Sequence, residues 1–221
     1  MSTEIKICGL STLETLDAAL DAGADHVGLV FVEKSPRYVT PEEAAPLARH
    51  ARGSATIVAL VADPTDARLD EIMTVVKPDA VQFHGSESPA FLSAFRAGYP
   101  DAEIWKAIPV ASAEDLGLLA FYLSITDRIL FDAKPPRDAD RTGGHGRAFD
   151  WSILRDLDPE LGFMLSGGLN PDNVAEAIRL THASAVDVSS GVESAPGVKD
   201  VEKIRTFIEA VRATRPEKVD L

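Results

Sequence analysis

Cysteine, positive charge and long apolar runs are all scarce in this sequence. The 221 residues include one cysteine, Cys8, so the chain cannot form an internal disulfide bond. Lysine and arginine number 22 against 35 aspartates and glutamates, which leaves a formal net charge of −13. Nucleic acid and anionic membrane surfaces need a basic face, so neither is expected as a partner. No apolar run approaches the roughly 20 residues that span a bilayer, and we expect a cytoplasmic protein.

Short apolar segments alternate with longer amphipathic segments along the whole chain. Nearly continuous hydrophobicity over so few residues is typical of parallel strands that are buried on both faces. The predicted strands are Ile5–Leu10, Val27–Phe31, Thr56–Ala62, Ala80–Phe83, Glu103–Val110, Arg128–Asp132, Gly162–Leu165 and Ala185–Val188. Helix starts are predicted at Thr40-Pro41, at Asp150-Trp151 and at Asn170-Pro171, where a capping side chain precedes the first turn.

Eight strands that alternate with helices fit either a closed (β/α)8 barrel or a doubly wound open sheet. A barrel of this length is compact but within the usual lower range. No linker or low-complexity segment divides the sequence, so residues 1–221 are predicted to form a single domain. The longest irregular stretch, Lys134 to Arg147, is rich in glycine and proline. Irregular loops of this length in compact domains are usually functional.

Reactive side chains follow the predicted strands at their carboxyl ends, where barrel enzymes place their active sites. Cys8 lies at the end of the first strand, Arg37 follows the second, His84 follows the fourth, Asp132 ends the sixth and Asp187 lies in the eighth. Taken singly, each has an ordinary explanation. A lone cysteine is usually a buried apolar side chain, and a lone arginine or aspartate is usually solvated. Their shared position is what favours a site.

Two loops near the end of the sequence have the composition of a phosphate site. Gly167-Gly168 follows the seventh strand, just before the helix predicted at Asn170. Ser189, Ser190 and Gly191 follow the eighth strand and offer hydroxyl and amide donors. Glycine lets backbone N–H groups approach a ligand closely, and barrels commonly bind phosphate after strands seven and eight. Together, the two loops predict phosphate binding.

These segments, in this order, resemble the phosphoribosylanthranilate isomerase family over essentially the whole chain. The matching motifs are Lys6-Ile-Cys-Gly-Leu, Ser35-Pro-Arg-Tyr-Val, Val81-Gln-Phe-His-Gly, Gly143-Gly-His-Gly with Phe149-Asp-Trp, Ser166-Gly-Gly-Leu-Asn-Pro and Val186-Asp-Val-Ser-Ser-Gly-Val-Glu. The resemblance implies a single (β/α)8 TIM barrel. It also implies the Amadori rearrangement of N-(5-phosphoribosyl)anthranilate in tryptophan biosynthesis, with no metal or organic cofactor.

The resemblance assigns a role to each residue at the rim. Asp132 is expected to be the general acid that opens the ribose ring, and Cys8 the general base that removes the C2 proton. A thiol serves as a base only where nearby positive potential stabilises its thiolate. Arg37 is expected to form a bidentate pair with the anthranilate carboxylate. His84 and Asp187 are expected to orient substrate hydroxyls or the amine, and Gln82 is a weaker candidate.

Several questions stay open from the sequence. His145, in the glycine-rich loop, replaces the small polar residue of many relatives and is expected to face water. The other histidines, His26, His50 and His182, are expected at the surface. The sugar-phosphate substrate could include the histidine-pathway analogue, and the oligomer could be a monomer or a homodimer. The alternatives are a lyase that resembles indoleglycerol-phosphate synthase, disfavoured because the rim lacks its lysine and glutamates, and a non-catalytic sugar-phosphate-binding barrel.

Overall fold

Eight parallel strands close into a barrel in a computed structural model, which describes residues 2–134, 148–155 and 157–214. Each strand pairs with the next one along the chain, and the eighth pairs with the first. The strands are β1 (Glu4–Cys8), β2 (His26–Val30), β3 (Thr56–Val61), β4 (Ala80–Phe83), β5 (Glu103–Val110), β6 (Arg128–Ala133), β7 (Met164–Leu165) and β8 (Ala185–Val188). Closure between β8 and β1 confirms the barrel and excludes the open sheet.

All eight predicted strands are present, with differences only at their ends. β1 begins at Glu4 and ends at Cys8 rather than Leu10. β7 is reduced to Met164–Leu165. A further antiparallel pair, β9 (Glu193–Ala195) and β10 (Val198–Lys199), follows β8 and was not predicted. This small hairpin places two charged side chains, Glu193 and Lys199, next to the rim.

Seven α-helices accompany the strands in the described part of the chain. They are α1 (Leu13–Ala22), α2 (Pro41–Ala51), α3 (Asp66–Val75), α4 (Pro89–Gly98), α5 (Leu119–Tyr122), α6 (Val174–Thr181) and α7 (Val201–Ala213). Thr40 begins α2 as predicted, because its hydroxyl accepts the N–H of Glu43 and the Glu43 carboxylate accepts the N–H of Thr40. None of the helices in residues 2–134, 148–155 and 157–214 is both long enough and apolar enough to cross a membrane.

The helix predicted at Asn170 begins later than expected. The Asn170 side chain accepts the N–H groups of Asp172 and Asn173, which makes a tight turn, and α6 starts only at Val174. Asp150 does begin a helical turn, but that turn is a short 3-10 helix over Trp151–Leu154. The stretch 135–147, with His145, lies outside the described residues, so the expectations for this loop stay predictions.

The interior of the barrel is filled at both its amino-terminal end and its centre. A small apolar cluster occupies the inside, formed by Val58, Ala80, Trp105, Ala107, Leu130, Met164 and Ala185. A larger core lies outside the barrel, where outward residues such as Ile5 and Ile7 pack beneath the helices. Alternate residues of a strand point to opposite sides, so Lys6 and Cys8 share the inward face of β1. A packed interior leaves the carboxyl rim as the place for a site.

His26 is buried, so the expectation that it lies at the surface was wrong. Only 7% of the residue is exposed, and its ring meets the edge of Trp105 with centroids 5.0 Å apart. Its Nε2 lies 3.1 Å from Glu4, whose carboxylate also accepts from Arg128 at 2.7 Å. β2 and β5 are not neighbours, so this contact crosses the barrel. His26 begins a strand on its inward face, which position along the sequence did not reveal.

Candidate active site

The predicted site residues lie around one end of the barrel and form three connected groups. Cys8 lies with Lys6 and Asp187, His84 lies with Asp132, and Arg37 lies with Glu193. Cys8, Asp132, Asp187 and Arg37 are all buried, with 3 to 6% of each residue exposed. The carboxyl ends of parallel strands meet at one edge, which is why residues so distant in sequence converge.

Cys8 occupies space that a glycine of the neighbouring strand leaves open. A Cβ atom built on Gly28, the β2 partner of Cys8, would lie 2.9 Å from the Cys8 sulfur and 3.1 Å from the Lys6 ammonium. Any larger residue at position 28 would therefore displace the thiol or the ammonium. This glycine was missed in the sequence, where it lies in the middle of an otherwise regular strand.

Lys6 and Asp187 form a fully buried ion pair beneath Cys8. The Lys6 ammonium donates to Asp187 at 2.9 Å, and the other oxygen of Asp187 accepts the Ser166 hydroxyl at 3.3 Å. Both carboxylate oxygens of Asp187 thus have protein partners. Lys6 was missed in the sequence, although a charged residue inside an apolar strand, two positions before a cysteine, could have indicated it.

Burial raises the pKa of the Cys8 thiol, and the neighbouring charges act on it in both directions. The ammonium groups of Lys6 and Lys199 lower the pKa and offset part of the effect of burial, whereas Asp187 adds to it. The positive potential expected beside the thiol is therefore present. The net direction of the shift in the pKa of Cys8 is upward.

His84 links Asp132 to Gln82. Its Nε2 lies 2.9 Å from an Asp132 oxygen, and its Nδ1 lies 3.0 Å from the amide nitrogen of Gln82. The second oxygen of Asp132 accepts the backbone N–H of Ala133 at 2.8 Å. The ring of His84 therefore lies against the carboxylate of Asp132. Gln82 and His84 are two residues apart and share one face, the pattern that brings both to the interior.

Arg37 forms a two-bond ion pair with a carboxylate of the protein itself. Its Nε donates to Glu193 at 2.8 Å and its Nη2 donates to the other oxygen at 2.6 Å. The bidentate pair expected with a substrate carboxylate therefore cannot use that edge of the guanidinium. Glu193 also accepts from Lys199 at 2.8 Å. Burial acts to raise its pKa, but Arg37 and Lys199 together lower the pKa of Glu193 to about 2.

The loops after β7 and β8 lie against each other. A Cβ atom on Gly191 would lie 1.9 Å from the carbonyl oxygen of Leu169, so the two backbones meet at a position that only glycine can occupy. Gly167 and Gly168 have positive φ values of 87° and 70°. The Gly167 position is also closed, since a Cβ there would lie 2.5 Å from the N–H nitrogen of Ala133.

Lys199 ties the loop after β8 to the hairpin. Its ammonium donates to the carbonyl and the hydroxyl of Ser189 at 2.8 and 3.2 Å. A Cβ on Gly9 would lie 2.8 Å from the Arg37 side chain and 3.3 Å from the Ser189 hydroxyl, so the end of β1 adjoins both. Lys199 and Glu193 were missed in the sequence, since nothing in their spacing indicates a hairpin that folds back on the rim.

The fold and the rim together define the class of protein. A closed barrel whose carboxyl end gathers a thiol, an imidazole–carboxylate pair and two abutting glycine loops is a (β/α)8-barrel enzyme. Among residues 2–134, 148–155 and 157–214, no three histidine, cysteine, aspartate or glutamate side chains are grouped closely enough to hold a metal ion.

Comparison with known proteins identifies the family. The family model for N-(5'phosphoribosyl)anthranilate (PRA) isomerase matches residues 5–210. An N-(5'-phosphoribosyl)anthranilate isomerase of Rhodopseudomonas palustris strain BisA53 is 56% identical over 214 residues, which cover 97% of this chain and 98% of the relative. The chain therefore belongs to the N-(5'-phosphoribosyl)anthranilate isomerase family and is an isomerase of tryptophan biosynthesis.

Solved structures of the family share the fold. The phosphoribosyl anthranilate isomerase of Thermotoga maritima aligns with a TM-score of 0.84 at 35% identity. The alignment covers 95% of this chain and 98% of the Thermotoga chain. A second phosphoribosyl anthranilate isomerase structure was solved with reduced 1-(o-carboxyphenylamino)-1-deoxyribulose 5-phosphate. It aligns with a TM-score of 0.81 at 32% identity, and covers 95% of this chain and 98% of its own.

Proposed function

We propose that Cys8 and Asp132 are the general base and general acid of the isomerisation. The observation that carries this proposal is their placement. Cys8 ends β1 and Asp132 lies near the end of β6, with only β8 and β7 between them around the closed ring. A substrate between these strand ends can contact both groups. Two proton transfers at different atoms of one sugar need an acid and a base placed in this way.

The reaction begins at the acid. Asp132 gives its proton to the ribose ring oxygen, the bond from that oxygen to C1 breaks, and the anilino nitrogen supplies the electron pair that makes a Schiff base. The Cys8 thiolate then removes the proton from C2, and the electron pair of that C–H bond moves toward the nitrogen. The resulting enolamine tautomerises to the ketone. Each transfer is ordinary acid–base chemistry, in which a well-placed group contributes about 10²- to 10⁴-fold.

Lys6 supports the base. A buried thiolate beside no cation would be strongly disfavoured, and Lys6 and Lys199 are the cations that act on Cys8. Asp187 holds Lys6 in place from below at 2.9 Å. We therefore assign Asp187 to positioning Lys6, and His84 to positioning Asp132, rather than to orienting substrate hydroxyls as the resemblance implied.

Each charged end of the substrate has a proposed binding position at the rim. The loops with Gly167, Gly168, Ser189, Ser190 and Gly191 would bind the phosphate, like that of the reduced 5-phosphate bound to the solved relative. Arg37 would face the anthranilate carboxylate from the same rim. A single catalytic domain over residues 1–221 is part of this proposal. The cytoplasmic location and the choice between monomer and homodimer stay predictions.

The test is a fluorescence assay of phosphoribosylanthranilate consumption by the purified chain. Cys8→Ala and Asp132→Asn should each lower kcat by at least about 10²-fold, because each removes one proton carrier. Asp21→Asn, at an exposed position of α1, is the matched control for exchanging a carboxylate for an amide. Retention of near wild-type kcat by either site variant, with circular dichroism showing a folded barrel, would refute the acid–base assignment.

A further inference from the structure

Gln82 is a buried residue in which the amide nitrogen is hydrogen-bonded and the amide oxygen is not. The residue is fully buried in β4. Its Nε2 lies 3.0 Å from His84 Nδ1, while its Oε1 is buried without any hydrogen-bond partner in the part of the chain that the structure describes. Buried polar atoms are nearly always paired, so an unpaired one beside a catalytic group points to a functional reason.

In this orientation of the Gln82 amide, the contact places the proton of the His84 ring on Nε2. An amide nitrogen can only donate, so His84 Nδ1 must accept and must be bare. The ring proton is then on Nε2, which donates to Oδ2 of Asp132 at 2.9 Å. Because Oδ1 of Asp132 accepts the N–H of Ala133, both carboxylate oxygens act as acceptors. This arrangement suits an ionised Asp132, whereas a general acid must also exist in a protonated form.

Rotation of the Gln82 amide would create the second arrangement. A half-turn about the last side-chain bond exchanges Oε1 and Nε2. It exchanges the hydrogen bond of Nε2 with His84 Nδ1 for one made by Oε1, which has no partner among the described residues to lose. Oε1 would then accept a proton-bearing Nδ1 of His84. In that tautomer the Nε2 of His84 is bare and can accept from a protonated Oδ2 of Asp132. Glutamine can serve both arrangements because its amide both donates and accepts.

We propose that Gln82 is a positioning residue that sets the tautomer of His84 and thereby lets the His84–Asp132 pair hold the proton used to open the ribose ring. A proton from solvent converts the pair from neutral imidazole plus carboxylate to the Nδ1–H imidazole plus carboxylic acid. Asp132 then gives that proton to the ring oxygen and returns to the carboxylate. The starting state is restored when Nδ1 of His84 gives its proton to solvent, Nε2 takes one up from solvent, and the amide turns back. This inference rests on the proposed role of Asp132 as the general acid.

The direct test is the nitrogen NMR spectrum of the histidine rings in the unliganded wild-type protein at a pH where His84 is neutral. A His84→Asn variant assigns the signals. We expect the Nε2–H tautomer for His84. At a pH where its carboxylate is ionised, Gln82→Glu replaces the donor with a group that can only accept, so it should invert the tautomer to Nδ1–H. Gln82→Met removes both functions and should leave a mixture.

Kinetics supply the second readout. Gln82→Glu and Gln82→Met should each lower kcat by about tenfold or more and change KM much less, because the residue acts on proton transfer rather than on binding. The proposal would be overturned by an Nδ1–H tautomer in the wild type, by an unchanged tautomer in Gln82→Glu, or by wild-type kcat in Gln82→Met. The wild-type spectrum decides the first point even if the variants fold poorly.

The two proposals can fail separately. If Asp132→Asn keeps its activity, the acid assignment is lost, yet the spectra still determine whether Gln82 controls the His84 tautomer. If Asp132→Asn is inactive and the tautomer does not respond to position 82, the acid assignment stands and the role of Gln82 is rejected.

Discussion

Cys8 differs from an ordinary packed cysteine in its neighbours rather than in its burial. A buried thiol in apolar surroundings is inert, because desolvation opposes the thiolate. Here the Lys6 ammonium is also buried, and the space at Gly28 brings it and the sulfur to the same point. The ammonium in turn depends on Asp187, without which burial would favour its neutral form. Three residues on β1 and β8 thus act together.

Replacing Lys6 tests this group of three. Lys6→Met removes a cation that lowers the pKa of Cys8, so thiolate formation should move to higher pH. A pKa higher by one leaves about tenfold less thiolate at a given pH, and kcat/KM near neutral pH should fall accordingly, by about tenfold or more. The ultraviolet absorbance of the thiolate measures this change at Cys8, the single cysteine, once the titration of Cys8→Ala with its same three tyrosines is subtracted.

The matched variant for that test is Lys6→Met combined with Asp187→Asn. It avoids leaving a buried carboxylate unpaired, which is strongly destabilising. Because Asp187 raises the pKa of Cys8, its loss should bring the pKa part of the way back toward the wild-type value. A thiol titration that is the same in all three proteins would show that Lys6 does not act on Cys8.

At the scale of elements, the packing of two loops depends on one close contact between their backbones. The loops after β7 and β8 touch where Gly191 meets the Leu169 carbonyl. Lys199 on β10 donates to Ser189 and so holds the loop after β8. Asn173 donates to the carbonyl of Gly168 and so holds the loop after β7. The positions of the donors proposed to bind phosphate therefore depend on how the loops pack, not on either loop alone.

Gly191→Ala should separate these loops. Its Cβ would lie 1.9 Å from a backbone oxygen, so the backbone must move. We expect weaker binding of reduced 1-(o-carboxyphenylamino)-1-deoxyribulose 5-phosphate in calorimetry, by about tenfold or more, as expected when several charge-assisted hydrogen bonds are misplaced. Gly98→Ala, where an added Cβ meets nothing within 4 Å, is the control and should bind normally. Equal affinity in both variants would count against a phosphate site here.

At the scale of the whole molecule, the two ends of the barrel have different chemistry. The amino-terminal end is closed by Glu4, His26, Trp105 and Arg128, with the Arg128 guanidinium 4.9 Å from the centre of the Trp105 ring. The carboxyl end gathers Lys6, Arg37 and Lys199 against Asp187 and Glu193. With Asp132 counted, the rim holds three cations and three carboxylates, so it is less acidic than the protein as a whole, whose net charge is −13.

Burial lowers the pKa of His26, and this makes the stability of the barrel dependent on pH. Glu4 and Asp25 oppose this shift, and Arg128 adds to it. The unfolded chain protonates His26 more readily than the folded chain does, so the free energy of unfolding should decrease as the pH falls below about 6.5. Above that pH His26 is neutral in both states and the dependence vanishes.

Urea unfolding at a series of pH values measures this effect. Between about pH 7 and about pH 5, on either side of the ordinary histidine pKa, His26→Gln should lose less stability than the wild type. This smaller loss of stability with falling pH is expected even if the variant is less stable than the wild type at neutral pH. His50→Gln removes a surface histidine and serves as the control. Parallel pH dependence in wild type and His26→Gln would show that the buried histidine is not responsible.

The sequence by itself determined the number, order and type of the barrel strands, because burial on both faces requires short continuous apolar runs. It also determined the family, through motifs at successive strand ends, and it placed Cys8, Asp132 and the two glycine loops at the rim. Local patterns carry this information because strands and turns depend on nearby residues.

Only the tertiary structure decided what those residues touch. Asp187 against Lys6, Glu193 against Arg37, Asp132 against His84 and Trp105 against His26 are all contacts between side chains that lie far apart in the sequence. They depend on barrel closure and strand register, which bring Lys6 and Asp187, 181 positions apart, within hydrogen-bonding distance. The sequence shows that Cys8 lies at the rim, and the folded barrel supplies the charges that would make it a base.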